Sequence, residues 1–203
     1  MKIRSVITGV LCLIVLNNCA PYRDVPLDRW VGMEFIVDGR VDVQLMTPPE
    51  KGEKEEFKTY FINSSPESFE RLFMTHYDPG WGKNRGLYLT TFGSSIKRVE
   101  PRLAQDSGLS LDYIKNNVYL VRDDAAKAFD IEGEVIFNNQ PWLKINLIGK
   151  QRKGVSYATT INGEYILLIS MYMYGEDSDQ TRLFSVRLET LKKIMNTIQF
   201  STE

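Results

Sequence analysis

The chain has 203 residues, of which 43% are hydrophobic and 25% are charged, and its formal net charge is −1. This length and composition are those of one globular domain that can bury a substantial core. The nearly balanced charge argues against a nucleic-acid-binding surface, and the 2 cysteines and 1 histidine leave little for metal or nucleophilic chemistry.

The N-terminal segment has the pattern of an export signal. Lys2 and Arg4 precede an apolar run over residues 5–16. The run has the length of a signal-peptide core and is too short to cross a bilayer, which needs roughly 20 residues. We therefore expect a cleaved signal peptide over residues 1–18. The alternative is a buried N-terminal helix, which the lack of an amphipathic period disfavours.

Cys19 follows this run and would have no partner once Cys12 is removed with the signal. A lone thiol is a liability in an oxidising compartment, and a thioether to diacylglycerol removes it. The stretch LNNC, residues 16–19, resembles the signal of bacterial lipoproteins. The resemblance implies that Cys19 carries lipid, including a palmitate-like acyl chain, and that residues 19–30 tether the domain to a membrane. With Ala20 rather than Asp after the cysteine, it implies the outer membrane, facing the periplasm.

The first half of the domain shows both strand and helix signals. Two strand-like runs over residues 33–46 flank Asp38-Gly39, a dipeptide typical of tight hairpins. A strand is predicted over residues 57–62 and another over residues 87–92. Helical spacing predicts a helix over residues 66–78, after a cap at Ser64 or Ser65, and a second helix over residues 110–122. The apolar positions of the first of these helices are Phe69, Leu72, Phe73 and His76.

The C-terminal third shows the clearest pattern. Four strand-like runs cover residues 131–137, 142–148, 155–161 and 164–174, and their short links predict an antiparallel meander. A final helix is predicted over residues 183–196, because its apolar positions follow one face. Ile198 and Phe200 then suggest a short edge strand.

Together these elements predict an α+β fold within a single domain over residues 31–203. We expect an antiparallel sheet, including the C-terminal four-strand meander, with two or three helices packed on one face.

No motif in the sequence predicts an enzyme. His76 is the only histidine, and neither a G-x-S-x-G elbow nor a phosphate-binding loop is present. We therefore expect no catalytic residues, no cofactor and no metal site. Two alternatives stay open: a pair of carboxylates of the glycosidase type, and a calcium ion at Glu176, Asp177 and Asp179.

Trp81, Lys83 and Arg85 form the first candidate binding element, in the loop DPGWGKNRG over residues 78–86. Tryptophan and arginine are favoured as anchors in protein interfaces. The alternative is that Trp81 folds back as a plug on the core.

Lys150, Arg152 and Lys153 form the second candidate, in the link over residues 149–154. In the predicted meander this basic link leaves the sheet at the same end as the acidic link over residues 175–180. The two links could neutralise each other, be simply solvated, or present a charge pattern that steers a partner.

A lipid-anchored domain without catalytic equipment is expected to act by binding a protein. In its Leu16–Cys19 signal, single domain and lack of catalytic residues it is similar to the lipoprotein immunity proteins of type VI secretion systems. The resemblance implies that it neutralises a phospholipase effector by occluding the effector's active site. The alternatives are a structural or assembly lipoprotein of an envelope complex, and an enzyme or small-ligand carrier, which would need a closed pocket.

Overall fold

A computed structural model describes residues 29–37, 41–47, 61–65, 68–78, 88–99, 110–116, 129–148, 152–174 and 180–202. These residues form ten strands and two helices. In chain order they are β1 (Val31–Val37), β2 (Val41–Thr47), β3 (Phe61–Ser65), β4 (Ser68–Asp78), β5 (Tyr88–Arg98), α1 (Leu111–Asn116), β6 (Phe129–Phe137), β7 (Gln140–Ile148), β8 (Arg152–Ile161), β9 (Tyr165–Tyr174), α2 (Gln180–Met195) and β10 (Gln199–Thr202).

The strands form two antiparallel sheets. The large sheet has seven strands in the order β3-β4-β5-β9-β8-β7-β6, and the small sheet has three in the order β1-β2-β10. Strand β9 lies at the centre of the large sheet, between β5 and β8. Its near-continuous apolar sequence suits a strand that is covered on both faces.

Each face of the large sheet carries its own hydrophobic core. On one face, α2 packs through Leu191, Ile194 and Met195 against the sheet and against the small sheet, which contributes Val43 and Leu45. On the other face, α1 packs through Ile114 in a second cluster. The sheet residues of that second cluster are Leu143, Ile145, Ala158, Ile166 and Leu168. The alternation of side chains along a strand explains how β9 supplies both cores.

Two hairpins of the large sheet close with residues in the left-handed conformation. Asn138 and Asn139, between β6 and β7, have φ of 47° and 62°. Asn162 and Gly163, between β8 and β9, have φ of 52° and 68°, and the Glu164 N–H donates to the Ile161 carbonyl at 3.1 Å. Positive φ at both central residues is the requirement of a type I′ turn, which Asn and Gly meet at low cost.

The predicted α+β class with two or three helices on one face is wrong. The described residues are mostly strand, the strands divide into two sheets, and α1 and α2 lie on opposite faces of the large sheet. The predicted helix over residues 66–78 is also wrong, because β4 occupies this segment and pairs with β3 and β5. A bulge between Leu72 and Met74 interrupts the two-residue alternation of β4 and hides it in the sequence.

Other expected elements are present. Strands β6 to β9 pair consecutively over the C-terminal third, β1 pairs with β2, and α2 covers most of the helix expected over residues 183–196. Strand β10 adds to the open side of β2. Helix α1 covers the first part of the helix expected over residues 110–122, and the rest of that segment lies outside the described residues.

Candidate functional site

Four strands of the large sheet have termini side by side at one end, which we call the loop end. Asp78, the last residue of β4, pairs with Tyr88, the first residue of β5. Tyr174, the last residue of β9, pairs with Leu89 on one side and with Arg152, the first residue of β8, on the other. The connections from β4 to β5 and from β7 to β8, and the segment after β9, therefore all start or finish at the loop end.

Most of the binding residues that the sequence predicts belong to these connections. Trp81, Lys83 and Arg85 stand between β4 and β5, and Lys150 stands between β7 and β8; all four lie outside the described residues. The acidic residues 176–179, which follow β9, lie outside them as well. The register of the strands nevertheless attaches all three segments to the same end of the sheet.

Arg152 and Lys153 are the members of this set that the structure describes. They are the first two residues of β8, and Lys153 is exposed. Lys153 pairs with Ile148 of β7 and with Met173 of β9, so it stands at the loop end between these two strands. A cationic side chain at this position is available to a partner.

Strands β8 and β9 are tightly packed directly below the loop end. A Cβ atom added to Gly154 would lie 2.8 Å from Cδ1 of Tyr172 and 2.9 Å from the carbonyl oxygen of Met171. Two residues further along, the buried hydroxyls of Ser156 and Ser170 form a hydrogen bond of 2.9 Å. Contacts of this kind fix the strand termini relative to each other, and so support the segments that the termini carry.

His76 lies on β4, so its expected place on a helical face is wrong. Among the described residues no group of three or more His, Cys, Asp or Glu side chains could hold a metal ion. Cys19 and the expected signal peptide lie outside the described residues, so the lipid anchor stays a prediction. No helix within the described ranges is both long enough and apolar enough to span a bilayer.

The structure also has an open groove that no motif of the sequence predicts. It lies on the outer face of the small sheet and has a volume of about 470 Å³. Its lining includes Glu34, Gln44 and Thr197. The Gln44 amide donates to Glu34 at 3.0 Å and to Asp42 at 2.9 Å, and the Met46 N–H donates to the Thr197 hydroxyl at 2.9 Å. In the sequence, the exposed face of the small sheet is indicated by the alternation of Glu34 and Gln44 with apolar residues along β1 and β2.

A small charge network lies beside β6, on the face that α2 covers. Glu132 forms a salt bridge with Lys144 and accepts a hydrogen bond of 2.9 Å from Asn146. The hydrogen bond with Lys144, followed by the one with Asn146, holds the pKa of the Glu132 carboxyl below its ordinary value. Burial, followed by the charges of Glu132 and Glu189, raises the pKa of Tyr157 to about 12. The network therefore favours an ionised Glu132 and a neutral Tyr157.

The comparisons with known proteins show no family. No protein-family model matches the chain, and the comparison with curated proteins found no match. Among solved structures the chain is similar to LpqN of Mycobacterium tuberculosis, a protein involved in cell envelope biogenesis. Sequence identity is 10%, the TM-score is 0.40, and the match covers 85% of this chain and 91% of LpqN. It is also similar to PA94 of Pseudomonas aeruginosa, a protein of unknown function, with 9% identity, a TM-score of 0.35, and coverage of 79% and 94% of the two chains. At these values neither structure assigns a family or a role to this chain.

Proposed function

We propose that this protein acts by binding a protein partner through the loop end of the large sheet, and not by catalysis. The observation that supports this is the strand register, because it attaches the segments bearing Trp81, Lys83, Arg85 and Lys150 next to Arg152 and Lys153. Tryptophan and arginine are the residues that most often dominate interface energies, and clustered cations steer an oppositely charged partner.

We further propose that the protein is an outer-membrane lipoprotein on the periplasmic face, anchored through Cys19. Support for this comes from the LNNC signal followed by Ala20. In this setting we put first the role of an assembly or structural component that holds an envelope complex together. For that role the loop end needs only to form a stable contact with the partner. Anchoring both proteins at the same membrane would favour this contact, because it raises the effective concentration of one near the other.

The second candidate is an immunity protein that blocks a phospholipase effector by occlusion. It would use the same surface, but the bound partner would lose its activity. The two candidates therefore differ in what happens to the partner: an assembly component forms a stoichiometric envelope complex, whereas an immunity protein also protects the cell from the lipase.

The binding surface is tested by cross-linking in the envelope followed by mass spectrometry, with a charge reversal at Lys153. Lys153→Glu is expected to reduce capture of the partner by about tenfold, since it replaces an attractive charge with a repulsive one. Lys115→Glu is the matched control, because Lys115 is also exposed but lies on α1. Helix α1 packs near Ala158, which is roughly 20 Å along β8 from the loop end. Equal capture by wild type and Lys153→Glu, or an equal loss in both variants, would contradict the proposed surface.

Two further measurements separate the remaining parts of the proposal. Labelling with a fatty-acid probe is expected to mark the wild type and to fail with Cys19→Ala; label on the variant would exclude this anchor. Co-expression with a periplasmic phospholipase effector distinguishes the roles, because an immunity protein restores growth and an assembly component does not.

A further inference from the structure

Strand β6 is a second surface suited to recognition, separate from the loop end. Among the strands that the structure describes it is the outermost on one side of the large sheet, and its pairing partner β7 lies on its inner side. An edge strand presents main-chain donors and acceptors on its outer side, which a further strand can pair with. Ile136 lies near the end of β6 that is opposite the loop end, since Phe129 at the other end pairs with Leu147.

A bulge divides β6 into two parts. The register with β7 shifts between Ile131 and Gly133, and the intervening Glu132 turns back to Lys144 and Asn146 of β7. Beyond the bulge the pairing is regular from Gly133 to Phe137. This five-residue segment is therefore the part of the edge that a partner strand can follow without interruption.

The side chains of this segment define the chemistry of a partner. Ile136 is 74% exposed, the largest exposed fraction among the exposed large hydrophobic residues that the structure describes. Glu134 is also exposed and stands two positions before it, so both side chains lie on the same face of the sheet. Within the described part of the chain, neither Glu134 nor Asp130 has a side-chain hydrogen bond or an ion pair.

The charge of β6 indicates whether a second copy of this chain or a different protein would pair with its edge. Strand β6 carries Asp130, Glu132 and Glu134 and no basic residue. If two copies paired antiparallel over residues 133–137, Glu134 of each copy would lie opposite Ile136 of the other. This pairing leaves both carboxylates without a basic partner and both isoleucines without an apolar one. A basic segment would instead be attracted, so the same charges exclude one partner and select another.

We propose that the edge of β6 accepts an extended, basic segment of a partner protein as an added strand. The partner places Lys or Arg opposite Glu134 and an apolar residue two positions away, opposite Ile136. Main-chain hydrogen bonds to residues 133–137 provide the docking, and the two side-chain pairs provide the specificity. This proposal does not depend on the loop end or on the lipid anchor.

The test uses the full chain and a synthetic nine-residue peptide that alternates Thr with other residues and carries Lys and Val two positions apart. Binding is followed by fluorescence anisotropy of the labelled peptide. N-methylation of one alternate set of peptide nitrogens is expected to abolish binding, while N-methylation of the other set is tolerated, because only one set faces β6. If the peptide still binds when either set of nitrogens is methylated, it does not add to the sheet as a strand, and the proposal is wrong.

Protein variants locate the site. Glu134→Lys is expected to weaken binding by about tenfold and to reverse the preference, so that a peptide with Glu in place of Lys binds better. Ile136→Asp is expected to weaken binding as well. The matched control Ile36→Asp replaces an isoleucine that is 64% exposed on β1 and is expected to leave binding unchanged. An unchanged preference in Glu134→Lys, or a dimer in sedimentation that Ile136→Asp dissociates, would overturn the proposal.

Discussion

Substitution of Gly154 by alanine tests whether the strands below the loop end are as tightly packed as the structure indicates. The added Cβ would meet Cδ1 of Tyr172 at 2.8 Å and the main-chain oxygen of Met171 at 2.9 Å. The tyrosine ring can rotate away, but the carbonyl belongs to the β8–β9 ladder and moves only if the strands separate. Overpacking of a core costs about 1–3 kcal/mol, and the backbone contact favours the upper half of this range. For a chain of this size, each kcal/mol lowers Tm by roughly 2–4 °C.

The assay is thermal and urea unfolding of Gly154→Ala beside Gly32→Ala. Gly32 is the control, because a Cβ at that position has nothing within 4 Å and its strand is at an edge. We expect Gly154→Ala to lose about 2 kcal/mol and Gly32→Ala to change stability by less than about 0.5 kcal/mol. In a Tyr172→Ala background the cost of Gly154→Ala is expected to fall but not to vanish, since the contact with the Met171 oxygen persists. Equal stability of the two glycine variants would refute the reasoning.

Three further predictions concern the turns and the core. Gly163→Ala places a Cβ at φ 68° and is expected to cost about 1–2 kcal/mol in urea unfolding; an unchanged midpoint would contradict the type I′ turn. Asn138→Ala is expected to cost about 1 kcal/mol more than Asn139→Ala, because Asn138 alone of the two donates to the Ile198 carbonyl, at 2.9 Å. Tyr157, whose pKa rises from 10.0 to about 12 in the fold, keeps its proton while the unfolded chain loses it. Stability is therefore expected to fall as the pH rises from about 10 to about 12, and Tyr157→Phe is expected to lose this component; identical pH profiles would exclude it.

The sequence predicts best those elements whose hydrophobic pattern is local and unbroken. The strands β6 to β9 follow from their apolar runs and from turn dipeptides such as Asn162-Gly163, because these fix both pairing and direction. Strand β4 does not follow from its sequence, because Phe69 and Phe73 are four residues apart, which suits a helix, and the bulge after Leu72 conceals the strand alternation. Pairing with the neighbours β3 and β5 decides between helix and strand, and the spacing of apolar residues within the segment does not show that pairing.

The placement of the helices could not be predicted for a related reason. The apolar face of each helix indicates that the helix packs on the sheet, but not on which face. Strand β9 is buried on both faces and could accept a helix on either. The sequence around Ile114 of α1 and Leu191 of α2 therefore does not show that these helices lie on opposite faces of the sheet.

The candidate site was predictable in part. The two links after β7 and after β9 were expected at one end of the sheet, because the meander alternates direction. The connection bearing Trp81 is attached at the same end as these two links because Leu89 pairs with Tyr174, and no short-range pattern encodes this pairing. The groove on the small sheet depends similarly on the distant Thr197, and it could not be inferred from β1 and β2 alone.

The seam between β2 and the segment around Thr197 sets an order for folding. Met46 and Thr197 are bonded across a separation of 151 positions, and β10 supplies the second neighbour of β2. During synthesis, one edge of β2 therefore stays unpaired until residues 199–202 have emerged. A chain that stops before residue 199 leaves one edge of β2 unpaired and part of the hydrophobic core uncovered. Because β2 is one of the first strands to be synthesised, it is the part of the domain that needs protection by a chaperone for the longest time.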